Sequence, residues 1–351
     1  MSGLLKSPKV LTALVVALLV FVVSVAGGAL GNEFGGGFLG SPIPHIQLPA
    51  EAVIADELFP GFHLTNTMVT TWLTIILLVV VAFLATRSKD DVPRGIRNLV
   101  EAIIETFLDL STSIAGAEKG RRFFPLAMTI FLFIVTANWL GILPGFGTIG
   151  RIETLEEIVE HKEHQGDEVH LSDIKLQVFS GGGSLGLMLP GSVDDVISGS
   201  EVDEEALEAD DKQAGVLVPF LRSANTDVNT TLAIALVAMF MVHFWGFTTL
   251  GFLGHIGKFL NVRAGPIGLF VGILEAISEL ARVISFTFRL FGNIFAGEIL
   301  LVAMAFLIPL IGIIPFLGLE LFVGMIQAFI FSMLTLVFAT MATLSHDQEA
   351  H

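Results

Sequence analysis

The chain has 351 residues, 53% of them hydrophobic, a mean hydropathy of +0.80 and no cysteine. That composition excludes the soluble globular classes, disulfide frameworks, thiolate metal sites and cysteine nucleophiles, and it describes an all-α polytopic membrane protein. The formal charge of −16 is local in origin: positions 151–212 hold 17 Asp and Glu against 4 Lys and Arg, while the basic residues elsewhere are scattered and form no nucleic-acid-binding patch.

Lys6 and Lys9 precede an apolar run over 10–26, and Ser24-Val25-Ala26 offers a small-x-small cleavage signal. A signal peptide over 1–26 is expected; the alternative is an uncleaved first spanning helix. Both readings place 27–66, rich in Gly and Pro, outside the cytoplasm. The run 67–86 has the ~20 residues a bilayer requires, and Arg87, Lys89, Arg94 and Arg97 follow at once, which marks the cytoplasmic side.

Next, Leu99, Ile103, Phe107 and Leu110 recur at helical spacing against Glu101, Glu105 and Asp109, so an amphipathic helix is expected along the inner surface. Lys119, Arg121 and Arg122 keep its end inside. The run 123–143 crosses outward, and the acidic segment after it is then outside. It reads as a solvated loop. His161 and His164 have an i, i+3 spacing compatible with a metal, but no metal or other cofactor is expected; glycines 181–183 lack the strand-to-helix context of a phosphate cradle.

Thr226-Asp-Val-Asn-Thr-Thr231 opens a helix with good N-cap chemistry that runs inward to about Leu250, where His255, Lys258 and Arg263 form a third positive cytoplasmic loop. Two over-long helices remain, one from Gly265 to Ile308 and a second from Pro309 to about Ser345. At 1.5 Å per residue they reach about 64 and 54 Å, against ~30 Å of hydrocarbon, so a strongly tilted helical hairpin is expected. The organisation is therefore 1–26 signal peptide, 27–66 outer segment, 67–148 membrane helices with the amphipathic helix, 149–215 acidic insertion, 216–345 membrane helices with the hairpin, and 346–351 cytoplasmic tail.

The first long helix holds Glu275, Glu279, Arg282, Arg289, Asn293 and Glu298. Glu279 and Arg282 are at i, i+3 and neutralise each other locally. Arg289 has Ser285, Phe286, Gly292 and Asn293 at i±3 and i±4, so any acid that pairs with it comes from elsewhere. A guanidinium at mid-membrane costs roughly 2.5–3.5 kcal/mol even on the lenient insertion scale. Glu298 is turned about 180° from Arg289 on a 3.6-residue helix. In the second helix Glu320 and Gln327 are seven apart, on one face. Such sets of acids and amides mark ion pathways better than they explain helix–helix adhesion. A secondary transporter is a rival reading, but it predicts two related halves, and no internal repeat is visible.

Phe288-Arg-Leu-Phe-Gly-Asn-Ile-Phe-Ala-Gly-Glu298 resembles the central motif of the a subunit of F-type ATP synthases. Supporting matches are Phe124-Pro125, Asn138 with Gly141 and Pro144-Gly145, the 226–231 motif, and Gln327-Ala-Phe-Ile-Phe331. The resemblance implies a non-catalytic, proton-translocating subunit in a bacterial plasma membrane, partnered by a ring of c subunits, the b-subunit peripheral stalk and the rest of the complex. It implies Arg289 as the essential arginine, Asn293 and Gln327 as its polar neighbours, Glu298 and Glu320 in the outer half-channel and Glu275 in the inner one, with Ser285 a further proton-translocation residue. Many relatives carry a histidine at one of the positions matching Glu298 and Glu320; here both are acids, and they are expected to share a proton.

The basic loops predict that a reagent confined to the outside modifies a cysteine placed within 155–210 but not one placed within 88–92 or 256–262. The opposite labelling pattern would invert the topology.

Overall fold

A computed structural model describes residues 8–32, 48–54, 62–87, 95–143, 145–165, 170–180, 185–187, 193–259 and 265–344. Lys6, Lys89, Arg94, glycines 181–183, Arg263 and the 346–351 tail lie outside the described residues, as do the side chains of His161, His164 and Lys258. The chain divides into two compact units, each described by itself: Met1–Val69, Gly141–Arg222 and Ala296–Leu321 form one, and Thr70–Leu140, Ser223–Phe295 and Phe322–His351 the other.

In chain order the elements are α1 (Pro8–Gly27), α2 (Ala29–Asn32), α3 (Asn66–Arg87), α4 (Ile96–Ala115), α5 (Ala117–Gly141), β1 (Ile149–Glu153), α6 (Leu155–Gln165), β2 (Lys175–Ser180), β3 (Leu185–Leu187), β4 (Val193–Ser198), α7 (Glu204–Ala209), β5 (Lys212–Pro219), α8 (Val228–Phe259), α9 (Gly265–Leu307) and α10 (Ile313–Ala342). Among the described residues six helices, α1, α3, α5, α8, α9 and α10, are long and apolar enough to cross a membrane. Hydrocarbon forces every backbone group to be satisfied within its own segment, so these spans are helical.

The second unit is a helical core. Ile134, Leu290, Ala235, Ala238 and Ala328 are fully buried together, with the Phe286 and Phe331 rings in tilted contact beside them at 4.5 Å between centroids. The alanines let helices approach closely, which is how membrane helices associate without a hydrophobic driving force. The amphipathic α4 packs through Phe107, whose ring lies 4.3 Å from Phe131. Its return into α5 is close: a Cβ on Gly120 would meet the Ser111 carbonyl at 2.5 Å. Only hydrogen occupies that space.

The acidic insertion departs from the expected loop. In the first unit its strands form a five-stranded sheet of order β3-β1-β5-β2-β4, with antiparallel registers such as Ile152 opposite Leu217 and Gln177 opposite Gly215. The central strand, β5, buries Ala214, Val216, Leu217 and Val218, and α6 and α7 lay Leu155, Ile158, Val159 and Leu207 against the same layer. Many of the acids fall on α6 and α7, while β4 carries Asp194 and Asp195 and β5 carries none. Strand signals of four to eight residues are weak beside so strong a charge bias, which is why the sequence reads as loop.

The long elements are continuous: α9 runs for 43 residues and α10 for 30. At their turn, the N–H groups of Leu310 and Ile311 donate to Ser24 Oγ at 3.0 and 3.3 Å, and Gly28 lies against the Leu307 carbonyl. Cleavage after Ala26 would remove the Ser24 acceptor.

The start of α8 is capped by Asp227, whose Oδ1 accepts from the Asn229 N–H at 2.9 Å. Its far end breaks at Gly251, with φ 75° and ψ 166°, a conformation essentially restricted to glycine. The break folds the chain back, so that His255 Nε2 is 3.2 Å from His243 Nδ1 despite twelve residues of separation. A straight helix would hold them about 18 Å apart. Gly251→Ala is expected to destabilise the fold by about 1–3 kcal/mol. The check is the thermal unfolding midpoint of the purified complex in detergent; it should fall, while Gly254→Ala, whose added Cβ meets only Leu250 at an ordinary 3.4 Å, leaves it unchanged.

Candidate functional site

In the second unit Glu275, Ser285, Arg289 and Asn293 lie on one face of α9, within an arc of about 80° by helical geometry. All four are exposed on the chain. Around them stand exposed apolar groups, among them Phe288 and Ile284. Among the described residues Arg289 makes no hydrogen bond or ion pair. Asn293 is engaged: its Nδ2 donates to Gln327 Oε1 at 2.9 Å, which ties α9 to α10 one turn beyond the arginine. Gln327 is 3% exposed, and its Nε2 has no hydrogen-bond acceptor among the described residues.

Earlier on α9, Glu279 forms the expected ion pair with Arg282, whose guanidinium lies 4.7 Å from the Phe338 ring centroid. His243 Nε2 lies 3.6 Å from Glu279 Oε2, so Glu279, His243 and His255 form a chain of ionisable groups that spacing along the sequence does not reveal. A Cβ on Gly246 would overlap the His255 ring, which explains the glycine there. The motif residue Asn138 is structural: it accepts from Asn225 Nδ2 at 2.7 Å and donates to the Gly324 carbonyl at 3.1 Å.

In the first unit Glu298 has a partner that sequence reasoning missed. Arg222 Nε donates to both of its carboxylate oxygens, at 3.0 and 3.1 Å, Nη2 donates to Oε2 at 3.1 Å, and Nη1 donates to the Pro49 carbonyl at 3.2 Å. Arg222 is buried. Both carboxylate oxygens of Glu298 are thus engaged by a buried guanidinium, an ion pair that the expected sharing of a proton between Glu298 and Glu320 did not include. The available signal was a lone arginine between Leu221 and Ser223, just before the 226–231 motif. Glu320 is 7% exposed, and its carboxylate lies against Gly297: a Cβ built there would overlap it.

Glu51 joins the same group from the N-terminal segment. Its Oε2 accepts from Asn66 Nδ2 at 3.1 Å, and Asn66 Nδ2 also donates to the Pro219 carbonyl at 3.2 Å. Burial raises the Glu51 pKa to about 7, against the lowering influence of Arg222 and of the Asn66 hydrogen bond.

Six apolar spans among the described residues, with ionisable residues set along two long helices, define a polytopic α-helical membrane protein. The family model of the ATP synthase A chain matches residues 68–340, and the chain belongs to that family: it is a membrane-sector subunit of an ATP synthase complex. ATP synthase subunit a of Campylobacter jejuni subsp. doylei is 28% identical over 276 residues, 78% of this chain and 87% of that relative. Its counterpart from Gloeobacter violaceus is 28% identical over 282 residues, 80% and 85% of the two chains, and that of Helicobacter pylori (strain Shi470) is 27% identical over 278, 78% and 88%. With bacterial relatives of this kind, the chain is a protein of a bacterial plasma membrane.

Because Gly297 leaves just enough room for the Glu320 carboxylate, Gly297→Ala is expected to displace that side chain and slow ATP-driven proton pumping several-fold in assembled complexes. Gly318→Ala, where an added Cβ meets nothing within 4 Å, should pump at the wild-type rate.

Proposed function

We propose that this chain carries two proton half-channels that open on opposite sides of the membrane and meet a carboxylate on each subunit of a c ring, with Arg289 separating them. The observation that carries the reading is the exposed Arg289: a permanently charged group on an apolar helix face, without an acidic partner among the described residues, needs one from another chain. A ring carboxylate arriving opposite it is favoured in its ionised form and gives up its proton to the inner path. Glu275, Ser285 and the Glu279–His243–His255 chain supply acceptors there. Protons enter from the outside by way of Glu298 and Glu320, with the Asn293–Gln327 amide pair beside Arg289.

Magnitudes support a reversible encounter. At an effective dielectric near 20, a pair ~4 Å apart gains about 4 kcal/mol. One proton crossing 100 mV releases about 2.3 kcal/mol. The two are comparable, so the attraction holds a ring site in place and is still overcome as the ring turns. The same fixed charge repels a proton passing directly between half-channels, and coupling follows from that repulsion. In this arrangement the acidic insertion and the mature N-terminus face outward, the C-terminus is cytoplasmic, and the b-subunit stalk holds the chain still against rotation.

Arg289→Ala tests the reading in proteoliposomes containing the assembled complex. Proton-driven ATP synthesis is expected to fall to background while passive proton flux persists or rises. Wild-type coupling in this variant would favour a purely structural role for the helix pair.

A further inference from the structure

Glu51 lies outside the span matched by the family, in the segment that precedes α3, yet it is built into the surroundings of Glu298. Three contacts place it. Arg222 grips the Pro49 carbonyl and the Glu298 carboxylate with the same guanidinium. Asn66, the first residue of α3, fixes Glu51 twice, because its backbone N–H donates to the Glu51 carbonyl at 3.0 Å and its side-chain amide donates to Oε2 at 3.1 Å. That amide is itself anchored on Pro219, at the end of β5. The carboxyl group thus lies two residues beyond the Pro49 carbonyl that Arg222 holds, Arg222 joins that segment to Glu298, and Glu320 lies against the preceding Gly297.

We propose that Glu51 is the proton-accepting group at the mouth of the outer half-channel, loading protons into the path that Glu298 and Glu320 continue. The inference rests on the two-half-channel reading above. An external proton bonds to Oε1, the oxygen opposite the one Asn66 holds, giving a neutral carboxylic acid. The same proton then leaves for the next carboxylate inward, which restores the Glu51 anion and changes no oxidation state.

The charges around Glu51 account for its proton affinity. Burial disfavours the anion, and Glu298 from α9 and Glu153 from β1 do the same, while Arg222 and the Asn66 amide favour it. The balance leaves the pKa at about 7, raised from the usual carboxylate value, so Glu51 holds a proton below that pH and releases it above. A relay group works best when its pKa lies near the pH at which it operates. Both oxygens of Glu298 accept from Arg222, whereas at Glu51 only Oε2 accepts, from Asn66, among the described residues.

The test uses the whole complex in proteoliposomes, measuring the initial rate of ATP synthesis against the pH of the proton-supplying side at fixed membrane potential. Wild type is expected to show an inflection near pH 7. Glu51→Gln should lose that inflection and run several-fold slower where protons are scarce, and Glu51→Asp should restore an inflection. Asn66→Ala, which removes a donor to the anion, should move the inflection to higher pH, and should have no such effect when combined with Glu51→Gln. Infrared difference spectra should contain a carboxylic acid band that titrates in the same range and is absent from Glu51→Gln. An assembled Glu51→Gln complex with the wild-type profile overturns the proposal. If Glu51→Gln does not assemble, an unmoved inflection in Asn66→Ala overturns it. An unchanged Glu51→Gln profile beside an uncoupled Arg289→Ala leaves the half-channel reading standing, whereas a fully coupled Arg289→Ala removes the reading itself.

Discussion

Hydrocarbon does not solvate charge, and every ionisable group in the long helices must answer to that constraint. The two arginines that matter here answer it in opposite ways. Arg222 is buried and spends its donors within the chain, on the Glu298 carboxylate and the Pro49 carbonyl. Arg289 is exposed and spends none among the described residues. Removing the partner of a buried guanidinium is strongly destabilising, so Arg222 organises its own unit. An unpaired guanidinium facing outward instead creates a demand for a second molecule. The proposed function meets that demand with a ring carboxylate that arrives, pairs and leaves.

The polar groups near Arg289 are arranged so that they do not quench it. Asn293 and Gln327 bond to each other, and neither carries a charge. Glu279 has its own cation in Arg282, and Glu298 has Arg222. Each acid on α9 that might have drawn the arginine inward is either committed elsewhere or, like Glu275, several turns away. Local neutrality around a single fixed charge keeps its field directed toward whatever faces it.

Packing follows the same solvent. Where the core of a soluble protein gains from burying large apolar groups, the spans here gain from close approach, and small residues mark the contacts: Ala235, Ala238 and Ala328 in the helical core, Gly120 against Ser111, and Gly297 against Glu320. At Gly297 the missing side chain also makes room for the Glu320 carboxylate. The insertion obeys the other solvent. Its strands pair into a sheet whose central strand buries apolar residues, and many of its acids lie on α6 and α7.

Much of this protein is legible in the linear chain. Twenty-residue apolar runs dictate spanning helices because the backbone has no alternative in lipid, and an uninterrupted 43-residue stretch whose one proline, Pro266, falls in the first turn dictates one long helix. A charge in such a run identifies Arg289, and its neighbours at i±3 and i±4 show that it lacks a local acid, since helical spacing is set by the backbone alone. Tertiary structure decided what spacing cannot carry. Arg222 and Glu298 are 76 residues apart, and Glu51 and Asn66 meet across a segment with no helical period. His243 and His255 meet only because Gly251 turns the chain back at a dihedral angle that no pattern of hydrophobicity encodes. The strands of the insertion pair by a register that depends on which residues find partners, not on their order. Local periodicity determined the elements and the isolated charge; which charges neutralise one another depended on contacts between distant segments.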